Sequence, residues 1–236
     1  MEKLAYVLWR GDEEPGAFAR ELVAEVSPRL VDAGARYLVT SVVDDAVAAG
    51  AGLRIGSMDP PKDAVVTFWL EESFRRHALE VILAEASASL AGYLVVESRP
   101  LRTPADLLGA PGTATGGFHL VTCIRRRPDL GHDEFIAEWH GPFRDTAIDR
   151  QDTFDYVRNE IVRPLTADAP EWSAIVQEGF PVGALDDPAI FFDAVGDEQR
   201  LADHQTRMFE AVQRFLDLGA VESHPMSEYV FEVGPD

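Results

Sequence analysis

The feature that most constrains this chain is that it repeats itself. Residues 3–43, KLAYVLWRGDEEPGAFARELVAEVSPRLVDAGARYLVTSVV, pass from a short apolar strand through a Pro15-Gly16 turn into an amphipathic helix and on to a β-branched strand. Residues 118–162, FHLVTCIRRRPDLGHDEFIAEWHGPFRDTAIDRQDTFDYVRNEIV, run through the same order. In each copy a proline precedes the helix and an aromatic opens its apolar stripe: Phe18, Leu22 and Val26 in one, Phe135, Trp139 and Phe143 in the other. Spacings of four residues place each trio on one helix face. A repeat of this length fixes the architecture before any motif does.

The remainder of each copy continues in parallel. DAVVTFWLEE, SFRRHALEVILAEAS and GYLVVES stand against PAIFFDAVG, DEQRLADHQTRMFEAVQRFLD and EYVFEVG. Each copy therefore reads β-α-β-β-α-β, the ferredoxin-like unit. The expected division is an N-terminal repeat over 1–102, a linker of Gly, Pro and Thr over 103–117, and a C-terminal repeat over 118–236, with 164–187 as an extra hairpin or loop. A four-stranded sheet with helices on one face leaves its other face in need of cover. The strands LAYVLW, LVTSVV and VVTFWL are near-continuous apolar runs, which suits burial on both faces. The expected fold class is α+β, two ferredoxin-like repeats packed sheet to sheet as a pseudo-dimeric α/β barrel. The other arrangement the pattern permits is two independent α+β domains whose sheets other chains cover.

Composition narrows the partners. With 41 acidic and 21 basic residues, the formal charge of −20 would repel phosphate backbones and anionic lipid surfaces. No nucleic-acid or membrane partner is expected. The longest apolar stretch, residues 78–96, is interrupted by Glu80 and Glu85 and falls short of a membrane span. Cys123 is the single cysteine, which precludes an intrachain disulfide and leaves no Cys-based metal site. An N-terminus without a long apolar run followed by a small-residue cleavage site gives no export signal, so a cytoplasmic location is expected.

The stretch RRRPDLGHDEFIAEW resembles the helix-opening signature of the EthD family, R-x-P-G-L-[ST]-x-E-E-F-x-x-x-W. Arg127 or its neighbours, Pro128, Leu130, Glu134, Phe135 and Trp139 stand in register. DYVRNEIV is similar to that family's next strand, Y-x-x-N-H, through Tyr156 and Asn159, and DAVVTFWLEE to its third strand through Asp63 and Trp69. The resemblance is strongest over 125–162. It implies a dimeric α/β barrel. Among relatives of that superfamily are lactone isomerases, cofactor-free monooxygenases, cyclases and haem-binding enzymes, so the fold underdetermines the chemistry. It also implies a cleft between the first helix and the sheet, served by a helix histidine and a strand histidine. Those two positions are here Phe143 and Glu160, and the corresponding first-copy positions are Val26 and Ser41. If catalysis is retained, proton transfer must use other groups.

Two candidate catalytic residues follow. His140, one residue past Trp139, could reach the cleft with an imidazole suited to acid-base work, or could simply end the apolar stripe before Gly141-Pro142. Glu160 shares a strand face with Tyr156 and Arg158, either as a polar row beside the cleft or as an ion pair on an exposed margin. The candidate substrate-binding set is Trp139, Phe143, Tyr156, Arg158, Asn159 and His119, with Cys123 on the face of His119. His204, beside Met208 and Phe209, reads as a core histidine, and His132 as part of a helix start. Arg125, Arg126 and Arg127 fit structural pairing with nearby acids better than substrate capture. GAGLRIG has the wrong spacing for a dinucleotide loop, and P-loop, G-x-S-x-G and H-E-x-x-H motifs are absent. No metal site and no cofactor are expected, with haem left open. The two functional readings are a cofactor-free isomerase, cyclase or monooxygenase acting on a largely apolar metabolite, and a non-catalytic small-molecule-binding or accessory protein of the same fold. The chain is expected to be a monomeric pseudo-dimer or a homodimer.

Overall fold

In the computed structural model, which describes residues 1–56 and 58–232, eight antiparallel strands close into one barrel in the order β1-β3-β2-β8-β5-β7-β6-β4. The strands are β1 (Glu2–Trp9), β2 (Arg36–Val42), β3 (Ala64–Leu70), β4 (Ser89–Leu101), β5 (Phe118–Ile124), β6 (Asp155–Pro164), β7 (Ala174–Phe180) and β8 (Glu222–Val230). Outside them lie α1 (Pro15–Glu21) and α2 (Ser27–Asp32), α3 (His77–Glu85), α4 (His132–Glu138) and α5 (Arg144–Arg150), the short α6 (Pro188–Phe191), and α7 (Glu198–Val212). The element order β-α-β-β-α-β thus occurs on each side of a segment, 102–117, that holds neither helix nor strand and touches the barrel through an isolated bridge from Ala114 to Tyr229.

The halves are joined by hydrogen bonds and do not merely face each other. β2 pairs with β8 over Val39–Val42, and the long β4 pairs with β6 while its other edge pairs with β1. Two sheets become one closed surface without a free edge. Both faces are then covered, which explains the apolar runs. Along β1, Leu4, Tyr6 and Leu8 pack under α1, α2 and α3, while Ala5, Val7 and Trp9 pack into the barrel interior with Val121, Ile175 and Met226.

The two helix layers have a common irregularity. Each first helix is interrupted by a π turn, Leu22–Val26 between α1 and α2 and Trp139–Phe143 between α4 and α5. In the second, Gly141 leaves the helical region ahead of Pro142, which lacks the N–H that would continue the ladder. The predicted stripes face the sheet: Phe18, Leu22 and Val26 are buried, as are Phe135 and Trp139, with Phe143 half-buried.

The strand assignments of the second half need correction. PAIFFDAVG is not a strand, because Asp187 caps the N–H of Ala189 and Pro188 opens the short helix α6 there. The third strand is β7, drawn from the stretch expected to be an extra hairpin; its alternation, with Ile175 and Gln177 inward and Val176 and Glu178 outward, fits a strand covered on both sides. The last strand begins earlier than EYVFEVG, at Glu222, where Val221 and Ser223 face the helices and Met226 the interior. Val233 and Gly234 of that stretch lie outside the described residues. The arginine cluster is structural, as expected: Arg125 pairs with Asp217 at 2.6 Å, Arg127 with Asp129, and Arg126 donates to the Leu130 carbonyl.

One close approach sets the register of β1 on β4. Gly92 lies opposite Tyr6, whose ring stacks on Phe68 and whose hydroxyl donates to Glu80 at 3.0 Å. A Cβ at Gly92 would come within 2.5 Å of that ring, and the ring is held from both ends. Gly92→Ala is expected to cost about 1–3 kcal/mol through overpacking, read as a lower urea midpoint with an unchanged slope.

Candidate functional site

The first half fills the layer between sheet and helices with Phe18, Leu22, Phe68, Leu79 and Leu83. The second half leaves a cavity of about 400 Å³ in that layer. Its floor is the outer face of β5, β7 and β8, through Leu120, Thr122, Val176 and Ser223, and its walls come from the π turn and α7, through Trp139, Phe143, Met208 and Val212. Phe209, 58% exposed, stands at its mouth. The cavity lies between the first helix and the sheet, where the family resemblance implies a cleft, but its helical wall comes from the π turn and from α7, with no residue of α4 or α5.

Few polar groups reach into this apolar space. Thr122 and Ser223 satisfy each other at 2.8 Å. Glu178 and Gln151 both line the cavity, and Oε1 of each is buried without a hydrogen-bond partner. Glu178 is 8% exposed, and burial pushes its carboxyl up to about 7, with no cation nearby to oppose the shift. A carboxyl placed so is divided between acid and base near neutral pH. Opposite it in the β6–β7 ladder stands Tyr156, buried, whose hydroxyl accepts from Trp139 Nε1 at 3.2 Å. Burial, then the neighbouring Glu178 charge, hold Tyr156 protonated, so its hydroxyl keeps a proton to donate.

The eight predicted site residues divide among three places. Trp139 and Phe143 line the cavity. Tyr156 backs Trp139, and the Arg158 guanidinium lies 5.8 Å from the Trp139 ring centre and 5.6 Å from that of Tyr156, with Nε donating to Ser98. His140 sits against the Trp139 ring, half-buried; burial and then the Arg158 charge lower its pKa to about 4, so it is neutral at pH 7. Its Nε2 has no hydrogen-bond partner, yet neither His140 nor Glu160 is among the residues that line the cavity. Glu160 turns instead toward His132, 3.1 Å away. Asn159 and His119 occupy the opposite face of the sheet. Asn159 donates to Ile175 O and Gln177 inside the barrel, and His119, fully buried, lies between Asp155 and Glu228. Alternation along β5 and β6 makes this unavoidable once Tyr156 and Leu120 face the helices. His204 is a core residue whose Nδ1 lies 2.7 Å from the Phe192 carbonyl.

Glu178 was missed because the strand that carries it read as an insertion. The available signal was one acid in the apolar alternation AIVQEGF, on the same face as Val176.

No family model matches the sequence, and no curated protein matches it. Solved structures do share its fold. An anthrone oxidase-like protein superposes with a TM-score of 0.58 at 12% identity, over 98% of this chain and 93% of that one. A monooxygenase candidate from Lactobacillus acidophilus NCFM superposes with a TM-score of 0.52 at 8% identity, over 98% and 96%. The chain is a mixed α+β protein whose eight antiparallel strands close into one barrel, the fold it shares with these structures. No helix among the described residues is long and apolar enough to cross a membrane.

The Glu178 carboxyl has a consequence for stability. Its pKa is higher in the fold than the ordinary 4.5, so the native state holds a proton that the unfolded chain gives up between about pH 4.5 and 7. Stability from this group is therefore full below 4.5 and falls as pH rises to about 7, by about 3 kcal/mol in all. Glu178→Gln is expected to match the wild type at pH 4 and to exceed it by about that amount at pH 8, measured by urea unfolding at both values.

Proposed function

We propose that this chain is an EthD-like, cofactor-free enzyme that moves a proton on a largely apolar, planar metabolite held in the cavity of its second half. The observation that carries the reading is Glu178: a carboxyl with a pKa of about 7 and an unpartnered oxygen in a largely apolar cavity. A stability cost of that kind is common where a group serves chemistry. Glu178 would take a proton from a carbon acidified by an adjacent carbonyl, and a hydroxyl that lines the cavity, Thr122 or Ser223, would donate to the oxygen on which negative charge develops, with Tyr156 holding Trp139 from behind. Returning the proton elsewhere gives an isomerisation or cyclisation, and capture of the carbanion by dioxygen gives an oxygenation. The anthrone oxidase-like neighbour suggests a fused aromatic ketone as the substrate type. His140, Arg158 and Glu160 lie outside the cavity and would act behind its wall: neutral His140 and the Arg158 guanidinium against the Trp139 ring, and Glu160 with His132.

The same reading takes the chain as two tandem ferredoxin-like repeats, 1–102 and 118–236, joined by 103–117, which complete one barrel without a second subunit. A cytoplasmic, monomeric protein whose partner is a small molecule fits this assignment.

The test is hydrogen–deuterium exchange at the acidic carbon of anthrone in D2O, followed by NMR. Wild-type protein is expected to accelerate exchange, with a rate that rises through pH 7 as Glu178 deprotonates. Glu178→Gln should lower the acceleration by roughly 10²–10⁴ while still quenching Trp139 fluorescence on binding. Binding without accelerated exchange in the wild type would favour the non-catalytic binding protein.

A further inference from the structure

The barrel interior holds a second cluster that the helix–sheet cavity does not touch. His119 on β5, Asp155 on β6 and Glu228 on β8 are buried together, with one ligand atom from each lying within 4.8 Å of the others. Each carboxylate has one oxygen already committed. Asp155 Oδ1 accepts from Arg99 Nη2 at 3.0 Å and from the Thr103 N–H at 3.0 Å, and Glu228 Oε1 accepts from the Thr115 hydroxyl at 3.1 Å. The other oxygens, Asp155 Oδ2 and Glu228 Oε2, turn to the same point, each 3.4 Å from His119 Nε2.

A protonated His119 would form ion pairs with both carboxylates, but hydrogen-bond geometry does not account for the lengths of these contacts. Charge-assisted N–H···O bonds are about 2.7–2.9 Å long, and one Nε2–H can point at only one of two oxygens. Neither His119 nitrogen makes a hydrogen bond, nor does Asp155 Oδ2, in a region where unpaired polar groups are costly. The spacing has another meaning. Around a tetrahedral ion with metal–ligand distances of about 2.0–2.1 Å, neighbouring ligand atoms stand about 3.3–3.4 Å apart. Both His–carboxylate separations match that edge, and the two carboxylate oxygens, which lie within 4.8 Å of each other, would draw together on an ion. The hydrogen bonds from Arg99, Thr103 and Thr115 would then be the outer contacts that orient ligating carboxylates.

We infer that His119, Asp155 and Glu228 form a binding site for a divalent transition-metal ion, zinc best matching a nitrogen-and-oxygen donor set of this size. Three protein ligands leave a fourth position open. Glu228 also lines a cavity of about 210 Å³ at this end of the barrel, with Lys3, Glu97, Arg99 and Gln177 around it, through which an ion and a fourth ligand could enter. This departs from the expectation of no metal, because the three ligands are scattered over the sequence and only barrel closure gathers them.

The experiment is titration of chelator-treated full-length protein with Zn²⁺ by calorimetry and with Co²⁺ by visible absorption. One ion per chain and the intense d–d bands of tetrahedral Co²⁺ are expected, with His119→Gln and Glu228→Gln each weakening binding at least tenfold and Glu178→Gln leaving it unchanged. Equal affinity in the wild type and both variants, or no saturable binding, would overturn the proposal in favour of a protonated imidazole between two carboxylates. Should either variant fail to fold, zinc-edge X-ray absorption of the loaded wild type decides. One imidazole nitrogen with oxygen neighbours supports the site, and a shell without imidazole overturns it. The Glu178 variant separates this outcome from that of the helix–sheet cavity.

Discussion

Closure of the barrel is the constraint on which the rest depends. Four strands with helices on one side would leave an apolar face exposed, and the seams β2–β8 and β4–β6 remove it by making the two halves one surface. Closure creates an inside, and the inside is not uniformly apolar. Val7, Val121, Ile175 and Met226 pack as a core, while toward one end Lys3 pairs with Glu97, Arg99 with Asp155, and Gln177 donates to Ser41 across the barrel. Two of these pairs, Arg99–Asp155 and Gln177–Ser41, cross from one half to the other, and the first lies on the β4–β6 seam.

The two halves share a topology and differ in packing. In the first, leucines and aromatics fill the space between helices and sheet. In the second, the side chains of the π turn and α7 surround a cavity whose few polar groups include an unpaired carboxylate oxygen and an unpaired amide oxygen. The proline-interrupted helix holds the Trp139 and Phe143 side chains at its wall. Glu178, without a cation to stabilise its charge, carries the chemical potential of that space.

Much of the fold could be read from the sequence because its signals were periodic. The stripes Phe18-Leu22-Val26 and Phe135-Trp139-Phe143 face the sheet as their spacing requires, and unbroken apolar strands did mean burial on both faces. The second-half strands were harder. PAIFF is as apolar as a strand, and only the Asp187 cap and Pro188 mark it as a helix start, whereas AIVQEGF resembles a strand but matches only a shorter segment in the first copy, and so reads as an extra hairpin or loop. The cleft was legible through Trp139 and Phe143. Glu178 was not, since its importance comes from having no partner, which a sequence does not display. Asn159 was placed by resemblance and His119 by its place on the strand before the helix, while alternation puts both on the inner face.

The difference in packing between the halves bears on how the chain tolerates a hollow. An unfilled layer forgoes the contacts that close packing supplies, and a buried carboxyl adds its own penalty. A symmetric pair would carry those losses twice. Here the filled half acts as ballast, hydrogen-bonded along both seams to a partner that could not leave it, and the hollow half is free to vary its lining without taking the barrel down with it.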